Sequence, residues 1–401
     1  MQCTSWSATA LFRAESPALT GMRVPSFDAT TSLVSRGLGI TPSLLIDSFG
    51  PASQADLLEI VSMRAANRGA ATPWDDEAYL RWRYQLDCTK PAWGQLYVLR
   101  HQRQIIGLIG TESMVLDVDG LQRSGRRVQD ILIEPHTRDS GLGLWLKQAV
   151  FRDGDFTMTV GCNAYSIGTV RRIYDSVARR ETYVMPLDIS SLLRRRFGNR
   201  SWVEPLATIG STAAGLWRSG YQLRGWRGAR LESADRFTDE MLAGLQGQKN
   251  TSQISMLRKA DHLNWRLIDN PRACYRISSA WIKDRCIGYM AASVTNDLSG
   301  TTHTSALRLV DWCFAPGFSA PAVSVLLPEL YHFGRANGCE RITTTVLGCG
   351  SDTWLGRSGF LRRPAGEFDV LGIHWSDRNF THGRVKNLAW AMTDLAGDSD
   401  G

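Results

Sequence analysis

Apolar and polar positions along the chain fall into blocks whose period switches between that of a helix and that of a strand. Leu57, Leu58 and Val61 recur at helical spacing within residues 54–67, and a second helix is predicted over about 75–86. Two strand-like runs at 95–101 and 104–117 flank the polar turn His101-Gln102-Arg103, which predicts a hairpin. A strand at 127–134, a helix at 141–152, a strand at 156–161, a helix at 168–179 and a strand near 182–188 follow. The apolar run 43–48 reads as one further strand, ahead of the first helix. Helices alternating with the strands of a mixed sheet predict an α/β, or α+β, unit of ordinary domain size.

The pattern then recurs. Tyr79-Leu80-Arg81-Trp82-Arg83 returns as His262-Leu263-Asn264-Trp265-Arg266, and Gly107, Asp130 and Pro135 return as Gly288, Asp311 and Pro316. The offset is 183 at the tryptophans and 181 at the other three pairs. Four matches in one order at nearly fixed spacing indicate a duplicated unit. We therefore expect a loose tail over 1–40, which carries no period, then a first copy over 41–188. A connector over 189–227 and a second copy over 228–395 complete the chain.

Composition narrows the class. With 401 residues, 43% apolar and 21% charged, the chain is too apolar for a disordered protein. No stretch approaches the ~20 apolar residues of a membrane-spanning helix. The first thirty residues also lack the basic and apolar regions of a secretory signal. A cytoplasmic protein with no integral membrane segment is expected. Eight scattered cysteines without a Cys-x-x-Cys pair argue against a zinc site and fit a reducing compartment. The net charge is +7, and forty of the 46 basic residues are Arg, the better bidentate partner for phosphate. That bias fits an anionic ligand, and it also arises from genome base composition. The run Arg194-Arg195-Arg196 in the connector reads as a solvated linker in preference to a membrane or RNA contact.

The chemistry concentrates after the strand at 127–134, where the chain reads Pro135-His136-Thr137-Arg138-Asp139-Ser140-Gly141-Leu142-Gly143-Leu144 and enters an apolar helix. Glycines at 141 and 143 let backbone amides converge on an anion without a Cβ in the way. The helix start adds its free N–H groups and dipole, and Arg138 adds a positive charge. The plain alternative is an ordinary helix start after a tight turn.

Strand, Arg-x-x-Gly-x-Gly and helix together resemble motif A of the GCN5-related N-acetyltransferase superfamily. The resemblance implies two tandem acyltransferase-like domains, with acetyl-CoA or another acyl-CoA as cosubstrate and no metal. It places the pyrophosphate on Arg138, Asp139, Ser140, Gly141, Leu142, Gly143 and Leu144. The family's later strand and helix match Val160-Gly161-Cys162-Asn163 and Arg172-Ile173-Tyr174-Asp175-Ser176. That match implies a coenzyme contact at Asn163 and a general acid at Tyr174, near the coenzyme sulfur. The first copy departs from the pattern at Ala178-Arg179, whereas the second keeps it as Gly359-Phe360. The C-terminal stretch around Trp390 is similar to that of bacterial polysaccharide-biosynthesis acyltransferases, which implies an amino sugar or another amine as acceptor.

Comparing the copies separates scaffold from site. At the 181 offset, Arg138, Gly141 and Gly143 face Ser319, Ala322 and Ser324, while Glu134 faces Ala315 and Tyr174 faces Leu355. Anion-binding positions are lost together, so the first copy is expected to hold the coenzyme and the second is not. Acyl transfer needs a neutral amine and hence a proton acceptor. Glu134 is preferred to Asp130 because only Asp130 persists in the second copy. Glu134 also reads as a solvated strand end, and Tyr174 as a core aromatic. Two other function classes remain open: an aminoacyl-tRNA-dependent peptidyltransferase-like protein, which an intact glycine loop disfavours, and a non-catalytic acyl-CoA sensor. No nucleic-acid partner is expected on the leading reading.

Overall fold

The computed structural model describes residues 25–68, 76–151, 154–164, 166–198, 200–210, 212, 228–245, 253–297, 304–347, 352–363, 366–377 and 389–396. In the first half the strands are β1 (Phe49–Pro51), β2 (Gly94–His101), β3 (Gln104–Val118), β4 (Leu121–Ile133), β5 (Phe156–Val160), β6 (Ser176–Arg179) and β7 (Glu181–Pro186). The second half contributes β8 (Ala229–Ala234), β9 (Gln253–Met256), β10 (Tyr275–Ile282), β11 (Arg285–Asp297) and β12 (Thr304–Phe314). It ends with β13 (Arg341–Val346), β14 (Leu361–Arg363), β15 (Val370–Trp375) and β16 (Ala389–Ala391). Helices α1 (Phe27–Leu38), α2 (Pro42–Asp47), α3 (Leu57–Arg68), α4 (Glu77–Tyr84), α5 (Leu142–Val150), α6 (Ile167–Ile173) and α7 (Ile189–Phe197) precede α8, at 203–210. They are followed by α9 (Asp239–Ala243), α10 (Ala260–Leu263), α11 (Ser319–Ala336) and α12 (Asp352–Arg357). Among the described residues no helix is long and apolar enough to cross a membrane.

Two mixed sheets carry the fold. One follows the order β1-β2-β3-β4-β5-β15-β6 and the other, read in reverse, β8-β10-β11-β12-β13-β7-β14. Along these paths the orders match strand for strand, and the first sheet also takes β9, paired with β3, and β16, paired with β9, from the second half. β15, from the second half, pairs antiparallel with β5, and β7, from the first half, pairs antiparallel with β13. Each sheet thus takes a strand of the other half beside its fifth strand. A boundary at 188 assigns β7 to one half by sequence and to the other by pairing.

Several elements differ from the sequence pattern. Residues 27–38, inside the expected tail, form α1, whose buried face is Thr30, Thr31, Val34 and Ser35. The Thr31 hydroxyl accepts a hydrogen bond from Trp145 Nε1 at 2.9 Å, which ties α1 to α5. The run 43–48 is the helix α2 and not a strand. Thr41 caps it, accepting from the Leu44 amide at 3.2 Å, and Pro42 opens its first turn. The helix expected over 168–179 ends at Ile173, and Ser176–Arg179 pair with β15 as β6.

The halves are joined by a nearly two-fold contact. Trp82 Nε1 donates to the Trp265 carbonyl at 2.8 Å and Trp265 Nε1 to the Trp82 carbonyl at 3.2 Å, with ring centroids 5.6 Å apart. The Arg83 guanidinium lies over both rings, at 5.9 and 5.5 Å. Beneath them Glu112 is fully buried. It meets Arg127 at 2.5 Å, Arg83 at 3.0 Å, His262 at 2.9 Å and Arg266 at 3.8 Å. Burial alone would raise the Glu112 carboxyl, but Arg127, Arg266, Arg83 and the hydrogen bond from His262 hold it well below the usual carboxylate range. The largest apolar core spans the same joint, packing Met114, Leu116 and Phe156 with Leu263, Tyr289, Val310 and Trp375.

Candidate functional site

β4 positions the site. It pairs with β5 in parallel over Gly125–Val128, whereas its pairing with β3 continues to Ile133, so the two parallel strands part beyond Val128. A bulge falls in the same stretch: the β3–β4 register shifts between Leu108 and Gly110, and Asp130 takes a φ of 49°. The Asp130 carboxylate meets Arg64 at 3.2 Å and accepts from the Tyr84 hydroxyl. The second sheet has a bulge at the matching place, between Ala291 and Ala292 on β11, and Asp311 there accepts from Tyr289 and Arg258. Burial, followed by the neighbouring aspartate, pushes both tyrosine hydroxyls well above their usual range.

After β4, Pro135–Ser140 form a 3₁₀ turn, Gly141 takes a left-handed φ of 81°, and α5 begins at Leu142. The Gly141 carbonyl accepts from the Leu144 and Trp145 amides at 3.1 Å each, so the amides at the helix mouth are those of Leu142 and Gly143. Ser140 Oγ is engaged within the turn, donating to the Thr137 carbonyl at 2.6 Å. Arg138 and Asp139 are exposed, and Arg138 donates to the Asn67 side chain at 2.7 Å. A Cβ on Gly141 would lie 3.5 Å from Leu33 of α1, and one on Gly143 would lie 2.9 Å from Ile133. The loop is therefore packed between α1 and the end of β4.

The second half fills the same place differently. Gly317, with φ 78°, turns the chain directly into α11, which starts at Ser319, the counterpart of Arg138. Ala322 is buried against Gly288, where an added Cβ would meet the Ala322 Cβ at 2.8 Å. Gly107 packs on α5 in the matching way, 3.1 Å from Leu146 and 3.3 Å from Leu142 by the same measure. Helix-to-sheet packing is shared; the loop is not.

Asn163, exposed after β5, caps the next turn. Its side-chain oxygen accepts from the Ser166 amide at 3.0 Å, and its own amide donates to Ser166 Oγ at 3.0 Å. Tyr174 is buried with Ile167, Val170, Ile173 and Val370, edge-on to Phe151 at 5.4 Å. Burial raises its hydroxyl far above the usual range, with the Thr159 side chain pulling weakly the other way. Glu134 is half-buried at the end of β4, and its carboxylate lies 3.9 Å from His136. The structure thus brings residues 138–144 into one turn and sets Tyr174 in a neighbouring apolar cluster that Leu144 also touches.

Two features escape sequence reading. Lys147, on α5, is buried, and burial pushes its amine down to about 8, partly offset by Cys162. No motif marks it; helical spacing places it one turn beyond Gly143. The Glu112 cluster is also hidden, although the arginine following the repeated tryptophan in both copies was its one visible trace. A cavity of about 370 Å³ lies between α2 and the β2–β3 turn, lined by Ile40, Leu44, Asp47, Arg100, His101 and Arg103, away from residues 135–144.

No family model matches the sequence, and no curated protein matches it. Solved structures do. A GCN5-related N-acetyltransferase from Anabaena variabilis is 14% identical over 81% of this chain and 71% of its own, with a TM-score of 0.53. A conserved Enterococcus faecalis protein described as a probable N-acyltransferase is 10% identical over 82% of this chain and 71% of its own, with a TM-score of 0.50. Saccharomyces cerevisiae N-myristoyltransferase with bound myristoyl-CoA aligns over 81% of this chain and 82% of its own at 11% identity. Its TM-score is 0.47. The chain has the fold of the GCN5-related N-acyltransferases, as two tandem mixed-sheet units.

Proposed function

We propose that the protein is an acyl-CoA-dependent N-acyltransferase, an acetyltransferase in the simplest case, with one coenzyme site in the first half. The observation that supports this reading is the parting of β4 from β5 above a 3₁₀ turn, a left-handed Gly141 and the start of α5. The Leu142 and Gly143 amides and the helix dipole face an anion there, with Arg138 beside them. In the reaction a neutral amine attacks the thioester carbonyl, the C–N bond forms, the C–S bond breaks and the thiolate leaves with a proton. Glu134 is the candidate to accept the amine proton, directly or through water. Tyr174, held protonated by burial, is the candidate acid. The acceptor class we favour is an amino sugar or a polysaccharide precursor, in the cytoplasm, with the second half shaping the acceptor cleft.

Isothermal titration with acetyl-CoA tests this: one site per chain is expected, lost on Gly143→Glu. No binding, or two equal sites, contradicts it. The burial of the Tyr174 hydroxyl favours one second reading, a coenzyme sensor. That reading predicts the same single site with no turnover over a panel of amines.

A further inference from the structure

We propose that the α7–α8 hairpin is a peripheral contact for an anionic lipid bilayer. α7 and α8 fold back on one another. A Cβ on Gly210 would lie 3.3 Å from Ile189, and Arg194 Nε donates to Glu204 at 2.7 Å, so the two arms are braced at both ends. α8 turns Val203 and Ala207 inward, 1% and 2% exposed. Its outer side carries Leu206 and Ile209, 48% and 64% exposed, and Trp202, 38% exposed, precedes it. Positions 202, 206 and 209 follow i, i+4, i+7 spacing, an apolar stripe along one side of a helix. Phe197, 37% exposed at the end of α7, extends the stripe, its ring centroid 5.0 Å from that of Trp202.

A solvated linker has no reason to hold four large apolar side chains outward on a braced hairpin. Charge selects the occupant. Within 189–210 the sequence has four arginines (194, 195, 196 and 200) against the single acid Glu204, which Arg194 already engages. Aromatic and aliphatic side chains beside excess arginine suit the interface of a bilayer, where the apolar face enters the headgroup boundary and the guanidiniums meet lipid phosphates. A protein groove complementary to the stripe would need no such excess. The contact lies in the plane of the membrane and needs no spanning helix.

The test is flotation of the full chain with vesicles of phosphatidylcholine alone or of phosphatidylcholine with about one-third phosphatidylglycerol. Roughly tenfold more protein should float with the anionic vesicles, with the excess reduced by salt. The variant Trp202→Ser, Leu206→Ser, Ile209→Ser should lose flotation while keeping the wild-type melting temperature and its acetyl-CoA titration. Arg200→Glu should weaken flotation without abolishing it. The proposal is overturned if the chain does not float with anionic vesicles or if the triple variant floats unchanged. It is also overturned if light scattering shows a dimer that the triple variant breaks while lipid has no effect, which would make a second copy the occupant.

Discussion

The stretches Pro135–Leu144 and Pro316–Val325 occupy one place in two matching sheets and fold in two ways. In the first, a 3₁₀ turn and a left-handed glycine delay the helix until Leu142; in the second, the helix begins at Ser319. The sheet features beneath them are alike: the glycine of β3 or β11 pressed against the helix, the bulge, and the aspartate held by a tyrosine and an arginine. The fold therefore does not require the loop. A feature that one copy keeps and the other replaces with ordinary helix is best explained by a ligand, and this contrast carries the proposed function.

The largest effect is expected at the joint that both halves share. Glu112→Ala would leave Arg83, Arg127 and Arg266 buried without their carboxylate, at a cost of about 3–5 kcal/mol. Urea denaturation reads this directly, and a loss below about 1 kcal/mol would show that the joint does not depend on Glu112.

Next comes a buried charge that the second half lacks, since the counterpart of Lys147 is Pro328, within α11. The Lys147 amine titrates near 8 when folded against an ordinary 10.5, so below pH 8 the fold carries the full cost of burying the protonated amine. Lys147→Met should raise stability at pH 7 by about 2–3 kcal/mol. The gain should shrink between pH 8 and 10.5 and vanish above, as thermal melts across pH would show; a pH-independent gain would mean packing alone.

Exchanging the local residues sharpens the comparison further. Gly141→Ala places a Cβ at a φ of 81° and should cost about 1–2 kcal/mol. Ala322→Gly removes a buried methyl from a helix interior and should cost about 1 kcal/mol or more. Chemical denaturation of the two variants checks whether each copy is committed to its own geometry. The smallest effects belong to the symmetric pair. Trp82→Phe and Trp265→Phe each remove one cross-joint hydrogen bond, about 1 kcal/mol apiece. The double variant should lose less than the sum, because both changes disturb one stack.

Periodicity made the hairpin, α3, α4, α5 and β5 legible, and the repeat made the duplication legible. α1 was not, because its buried face is Thr30, Thr31, Val34 and Ser35, which shows no hydrophobic period. The run Leu44-Leu45-Ile46 is compatible with either period, and the Thr41-Pro42 start signal before it decides for helix. The exchange of β7 and β15 left no mark, since pairing partners 155 to 219 residues apart do not alter local pattern. At the site, the glycine loop was readable from its residue types. The cap formed by Asn163 and the burial of Lys147 depend on neighbours that only the folded chain brings near.

Matched charge reversal at two exposed counterparts tests the central claim most directly. Arg138→Glu and Ser319→Glu place the same carboxylate at matching sequence positions of the two halves, and both positions are open to solvent. Titration calorimetry with acetyl-CoA should show one site per chain, weakened roughly tenfold or more by Arg138→Glu and unchanged by Ser319→Glu. Equal weakening by both, or an unaltered affinity in Arg138→Glu, would contradict a coenzyme site confined to the first half.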